Sequence, residues 1–292
     1  MKVHLTSTIG HSVKLLPHML NHYRSLGIGS FVLNVHLSHP ADSVFHDIES
    51  VTRRFNLKIS SVTVGDWQEL EQSIYRQAML KHPNDWFIVA DQDELQTYPK
   101  NIFEILTECE NEGYDFVGGC LIDRLSEDGS FSEVAPAPSI WDQFPLGSMI
   151  TWTLEGANPR KVVAAKGYVE LEQGQHGVIT GRGCPIEKYF IPVHHFKWVK
   201  GIIEELKERT ENFRQKGIAH WIESQRFVSH CEQHGGKIDL SDPDFMIAAC
   251  NPDYPYWDEI RSLSVARASF IRSELNQPFK HSGRLERQRI TR

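Results

Sequence analysis

Between Val3 and Ala90 the chain switches repeatedly between two hydrophobic periods, and that alternation restricts its fold more than any other feature. MKVHLTSTIG opens with apolar residues two apart, Val3 and Leu5, the period of a strand. HSVKLLPHMLNHYRSLG then places Val13, Leu16, Leu20 and Tyr23 at helical spacing, with Gly27 where a glycine stop belongs. SFVLNVH reads as a strand, Val44, Ile48, Val51 and Phe55 as a helix, and LKISSVTV as a strand again. Asp66 and Glu69 have the spacing of a capping box ahead of a helix carrying Trp67, Leu70, Ile74 and Ala78, and HPND turns the chain into the apolar run WFIVA. Four strands with three intervening helices predict an α/β fold with a parallel sheet covered by helices on both faces. Ligands of such open sheets bind beyond the carboxyl ends of the strands.

That rule draws attention to WFIVADQDELQTYP, where Asp91, Asp93 and Glu94 follow directly on the fourth strand. Like charges this close disfavour ionisation, so a positive partner is expected among them. Two aspartates one residue apart on a tight turn can aim oxygens at one hard cation, Mg²⁺ or Mn²⁺, together with substrate phosphates. A solvated acidic turn is the alternative reading, and position after a buried strand favours the metal.

Further along, a helix is expected from about Pro99 to Glu112 with Gly113 as its stop, then the apolar strand DFVGGCLI. The stretch from about Asp123 to Val193 is rich in Gly and Pro and suits substrate loops around short strands, and two helices follow, WVKGIIEELKERTENFRQ and AHWIESQRFVSHCEQ. The expected division is 1–200 as the main domain, with a nucleotide half over 1–125 and an acceptor half over 126–200, then a helical extension and basic tail over 201–292. Arg261 to Arg292 carries eight Lys or Arg against two Glu, a net of +6 in a chain of −7, which leaves −13 for the rest. Such a balance argues against nucleic acid as a partner; the tail could touch a phosphate or make peripheral contact with an anionic membrane, or be simply a solvated, frayed terminus. The five cysteines are scattered without CxxC spacing, which fits a reducing cytoplasm. The N-terminus shows no secretory pattern, and no apolar run approaches the ~18 residues of a membrane span.

WFIVADQDELQTYP, with LLPHMLNHYRSLGI upstream and QSIYRQAMLKHPND leading into it, resembles the W-hydrophobic-D-x-D-E-[FL] and HYRSLG elements of GT-A fold glycosyltransferases of the family 2-like group. IDRLSEDGS, WDQFPLG, KVVAAKG, GQHG and VHHFKW extend the resemblance to about residue 200. Members of that group often carry Asn-Glu after the first strand, where this chain has Ile9, Gly10 and His11. The resemblance implies an α/β, Rossmann-like GT-A fold with a mixed, mainly parallel sheet flanked by helices and with C-terminal helices, a nucleotide-sugar donor held by its diphosphate through Mn²⁺ or Mg²⁺, a glycan or lipid-linked acceptor, and transfer with inversion. It makes Asp93 the most direct metal ligand, has Asp91 touch ribose or metal, and has Glu94 orient the turn or approach the sugar. Thr6 and Ser7, at the end of the first strand, and Asp66, after the third, stand where such folds contact the nucleoside, with a mere turn or cap residue as the alternative for each.

Of the two histidines in FIPVHHF, His195 is preferred over His194 as a further metal ligand, against the alternative of a packed histidine. Lys197 and Lys200 could neutralise the departing diphosphate or be surface lysines. Inversion needs a base for the acceptor hydroxyl, and Asp123, following DFVGGCLI, is the expected one, with Glu155, Glu170 and His176 as rivals. Trp141, Phe144 and Trp152 could stack on a sugar or form a small core. Two other classes remain: a nucleotidyltransferase, for which TSTIGHSVK is a poor phosphate loop, and a binding domain on a degenerate fold of the same kind.

Overall fold

The computed structural model describes residues 1–266; the basic tail from 280 onward, and with it the expected membrane contact, lies outside the described residues. The elements run β1 (Val3–Ile9), α1 (Leu16–Ser25), β2 (Phe31–Leu37), α2 (Val44–Arg54), β3 (Ile59–Val64), α3 (Trp67–Met79) and β4 (Trp86–Val89). Then come β5 (Glu94–Gln96), α4 (Ile102–Asn111), β6 (Phe116–Leu125), α5 (Ile140–Gln143), β7 (Leu146–Ser148) and β8 (Arg160–Lys166). The chain continues through β9 (Gly183–Cys184), β10 (Ile191–His195), α6 (Ile202–Gln215), α7 (Trp221–Gln233), β11 (Ala248–Ala249) and α8 (Trp257–Ala266).

Periodicity thus predicts the first seven elements in type and order. β3, β2, β1 and β4 lie side by side and parallel, so their carboxyl ends share one edge. β8 then pairs antiparallel with both β4 and β6, and β6 carries β7 and β11 beyond it. Of the eleven strands, β5, β7 and β8 run against the others, which makes the sheet mixed and mainly parallel. β11 belongs to the region after residue 200, so that region contributes a strand as well as helices α6 and α7.

Alternation along the strands sets the two cores. Leu5, Ile9, Leu33, Val35, Trp86 and Ile88 face one side, where they pack with Leu16, Leu20 and Tyr23 of α1 and Ile48 of α2. Phe87 and Val89 face the other, against Tyr75 and Met79 of α3. Asp66 caps α3 as expected, its Oδ1 accepting from the Gln68 amide at 2.9 Å.

One close approach organises the remaining strands. β10 runs parallel to β6 with Ile191 beside Gly119, where a side chain would put a Cβ 2.5 Å from the Ile191 carbonyl oxygen. Glycine is what permits this spacing. The same register brings His195 beside Asp123 on β6 and, across β5, beside Glu94. No helix of the described residues is long and apolar enough to cross a membrane.

Candidate functional site

The acidic turn sits just past β4, and the HYRSLG segment holds its backbone. Tyr23 donates its hydroxyl to the Glu94 carbonyl at 3.0 Å, and His22 Nε2 lies 2.8 Å from the Gln96 carbonyl. Two sequence elements some seventy residues apart are therefore one structural unit. A buried hydrogen bond of this type contributes about 1 kcal/mol, so the pair fixes the turn's path more than it stabilises the whole fold.

The positive partner demanded by the three carboxylates comes in part from the chain itself. Lys161, the second residue of β8, donates from Nζ to Asp91 Oδ2 at 3.2 Å, Gln175 Oε1 at 2.9 Å and the Gly174 carbonyl at 3.1 Å, and pairs with Glu94 Oε1 at 2.8 Å. Its side chain is 4% exposed, which leaves water no part in its solvation. Burial alone would lower its pKa, yet Asp91 and Glu94 hold it well above the ordinary lysine value, so it is a fixed cation. Glu71 of α3 completes the cage by accepting from the Gly174 amide at 2.8 Å and Gln175 Nε2 at 2.7 Å. Burial pushes Glu94 up to about 7, with Lys161 opposing and Asp91 and Asp93 adding to the rise.

Asp91 is therefore already engaged at both oxygens, since Oδ1 accepts from the Tyr75 hydroxyl at 3.0 Å. Asp93 is placed differently. Its Oδ2 faces His195 Nε2 at 3.5 Å, while His195 Nδ1 donates to Asp123 Oδ1 at 3.1 Å. Burial would lower the His195 pKa, but the hydrogen bonds to Asp123 and Asp93 outweigh it and raise the value to about 10. Asp93 is affected in the opposite sense: burial raises it, and the His195 imidazolium pulls it below the usual carboxylate range. Strand parity distinguishes the two adjacent histidines. His194 turns to the other face, 5.0 Å from the Trp141 ring, where burial and the neighbouring Arg124 charge hold its pKa far down.

Asp123, the expected base, is 1% exposed and saturated. Beyond His195 it accepts from the Thr151 amide at 2.7 Å, the Thr151 hydroxyl at 2.6 Å and Trp198 Nε1 at 2.8 Å. DFVGGCLI ends one residue before it, but β6 continues to Leu125, so Asp123 lies inside the strand and not on a loop. Its geometry is that of a positioning residue for His195. Asp123→Ala should lower stability by about 2–3 kcal/mol, read from the denaturant midpoint, because three buried donors and an imidazolium lose their acceptor.

Thr6 and Ser7 lie in the middle of β1, which continues to Ile9, and not at its end; both are fully buried and neither hydroxyl has a partner, and Gln92 Oε1 in the acidic turn is likewise buried and unpaired. Uncompensated polar atoms of this kind need an explanation. Asp66 is occupied by its capping bond and by an ion pair with Lys216. Lys197 donates to both oxygens of Glu155, at 3.1 and 3.2 Å, and Lys200 pairs on the surface with Glu133. Phe144 and Trp152 are buried in cores, and Trp141 packs against Phe196, so these aromatics are packing residues. His176 Nδ1 is tied to the Arg160 carbonyl at 2.6 Å. The residues that sequence reasoning passed over are Lys161, Tyr75 and Glu71. Two lysines bracketing the buried strand KVVAAK were the available signal, because each must find an acid.

No family model matches the sequence, and no curated protein matches it either. Solved structures with a related shape include residues 1–349 of S. aureus TarS, at TM-score 0.39 and 14% identity, covering 83% of this chain and 77% of that one. The same protein in complex with UDP-GlcNAc matches at TM-score 0.36 and 13% identity, over 80% of this chain and 73% of that one. A putative glucose-1-phosphate thymidylyltransferase from Bacillus anthracis matches at TM-score 0.30 and 6% identity, over 90% of this chain and 95% of that one.

Proposed function

We propose that the chain is a metal-dependent glycosyltransferase of GT-A type, moving a sugar with inversion from a nucleotide-sugar donor to a hydroxyl of a glycan or lipid-linked acceptor. The observation that carries the reading is the convergence of Asp93 Oδ2, from the turn between β4 and β5, and His195 Nε2, from the end of β10, 3.5 Å apart beside the carboxyl end of β4. His195 ligates a cation only once its Nε2 gives up the proton it shares with Asp93; the ring is then held for ligation by the buried Asp123 carboxylate at Nδ1. One carboxylate and one imidazole suit Mn²⁺ better than oxygen-preferring Mg²⁺, with the other ligands coming from substrate phosphates and water.

When bound, the cation supplies Lewis-acid stabilisation of the departing diphosphate. The chain's own groups do the rest. Asp93 and His195 are the metal pair in this reading; Asp91, spent on Tyr75 and Lys161, is left to the ribose and to shaping the turn. Lys161 cancels charge that would otherwise repel a diphosphate, and Glu94, 2% exposed, orients the turn from beneath. Thr6 and Ser7 carry unpaired hydroxyls within β1 but are fully buried, and Asp66 caps the adjacent helix. Lys197 reaches the leaving group only by releasing Glu155.

The test is donor cleavage. Incubated with Mn²⁺ and UDP-, GDP-, TDP- or CMP-sugars, the protein should release the nucleotide from one class, slowly with water as acceptor, and EDTA should stop the release. Cleavage of none, or cleavage unaffected by EDTA, would count against metal-dependent transfer.

A further inference from the structure

We propose a second divalent-cation site, of the Zn²⁺ class, at the end of the sheet opposite the acidic turn, formed by His4 Nε2, His82 Nδ1 and Asp85 Oδ2. The ligand atoms of these three residues all lie within 4.8 Å of one another. His4 is the second residue of β1, and Asp85 immediately precedes β4, which pairs with β1 through Val3 and Trp86. Asp85 Oδ2 is 3.1 Å from His4 Nε2 and 3.8 Å from His82 Nδ1. Tetrahedral zinc with arms of about 2.0–2.1 Å separates its ligand atoms by about 3.3 Å, so both spacings bracket what the ion needs.

Two independent features support more than a chance meeting. His4 Nδ1 lies 2.7 Å from the Ser30 hydroxyl, a partner that fixes the ring while Nε2 faces Asp85 Oδ2. The turn bearing the other two ligands is held in shape by the start of the next segment. The Gly167 amide donates to the Asp85 carbonyl at 3.0 Å, the Tyr168 amide to the Pro83 carbonyl at 3.0 Å, and Lys166 Nζ to the Asn84 carbonyl at 3.1 Å. Gly167 lies so close that a Cβ there would stand 2.3 Å from the His82 carbonyl oxygen, which ties this turn's shape to a glycine.

The donor set is two imidazoles and one carboxylate, with a water completing four positions, and borderline-soft zinc prefers it to calcium or magnesium. Side-chain exposure rises from 9% at His4 through 23% at Asp85 to 52% at His82, so the site opens to solvent on the His82 side. His82 stacks on His4 at 5.1 Å, and capture requires its exposed ring to rotate so that Nδ1 meets the ion. Without a cation the His4 to Asp85 contact is an ordinary hydrogen bond. With one, the first strand is clamped to the α3–β4 turn, far from the donor and independent of it.

The experiment is Zn²⁺ titration by calorimetry of the full chain carrying Asp93→Ala, which removes the donor-side metal pair, with Co²⁺ absorbance as the coordination signature. The expected result is one equivalent of Zn²⁺ and a tetrahedral Co²⁺ spectrum, both lost in Asp93→Ala/His82→Ala. Adding Ser30→Ala instead should weaken affinity by about tenfold or more. No Zn²⁺ uptake by Asp93→Ala, or uptake unchanged by His82→Ala, would overturn the proposal. His82 is an exposed turn residue, so its variant keeps the fold, which far-ultraviolet circular dichroism checks.

Discussion

Lys161→Met should cost about 3–5 kcal/mol of stability, the range found when one member of a buried charge pair is removed. For a chain of this size that is a fall in melting temperature on the order of 10 °C. Methionine fills much of the space, so the loss is electrostatic: Asp91 and Glu94 keep their positions and lose the ammonium 3.2 and 2.8 Å away. Adding Glu94→Gln should restore part of the loss, because only one stranded carboxylate then remains, and the double-mutant cycle reports the coupling directly. A loss under about 1 kcal/mol would mean the lysine is no more than a surface-like pair, and its burial would then be without consequence.

Asp93→Ala should abolish Mn²⁺-dependent donor binding and leave the fold intact. Asp93 is part of a turn whose backbone is held elsewhere, by Tyr23, His22 and Gln92, and its side chain supports no apolar core. The melting temperature without ligand should therefore move little. What should vanish is the stabilisation by donor: at a hundredfold excess over Kd, ligand adds about 2.7 kcal/mol, or roughly 5–10 °C at this size. His195→Ala should remove the same shift and also lower intrinsic stability, since Asp123 would then keep three donors but lose its cation.

The two variants separate roles that sequence could not. The parallel half of the sheet was legible because each strand and helix declares its period locally, and the acidic turn was legible because it follows the fourth strand. Strand parity sends His195 toward Asp93 and His194 toward Trp141. Lys161 was not legible, because it meets the turn through the antiparallel pairing of β4 with β8, a contact seventy residues apart in sequence that no local pattern encodes. β6 continues past DFVGGCLI, carried on by pairing with β7 and β10, and buries the Asp123 carboxylate instead of leaving it where an acceptor could reach it. The Gly- and Pro-rich middle hid strands too short to show a period, among them β7 and β9.

The expected positive partner of the acidic turn thus resolves into two. Lys161 answers for Asp91 and Glu94, and His195 answers for Asp93. The proposed cation shares Asp93 with His195, which limits where a diphosphate could sit.

Donor binding can be measured without knowing the acceptor, and thermal stability of wild type and Asp93→Ala against UDP-, GDP-, TDP- and CMP-sugars, each with Mn²⁺ and with EDTA, tests the central claim most directly. The account predicts a rise in melting temperature with one nucleotide class, present with Mn²⁺, absent with EDTA and absent in Asp93→Ala. No shift with any nucleotide, or the same shift in Asp93→Ala, would contradict it and leave the acidic turn a structural feature closed by Lys161 and His195.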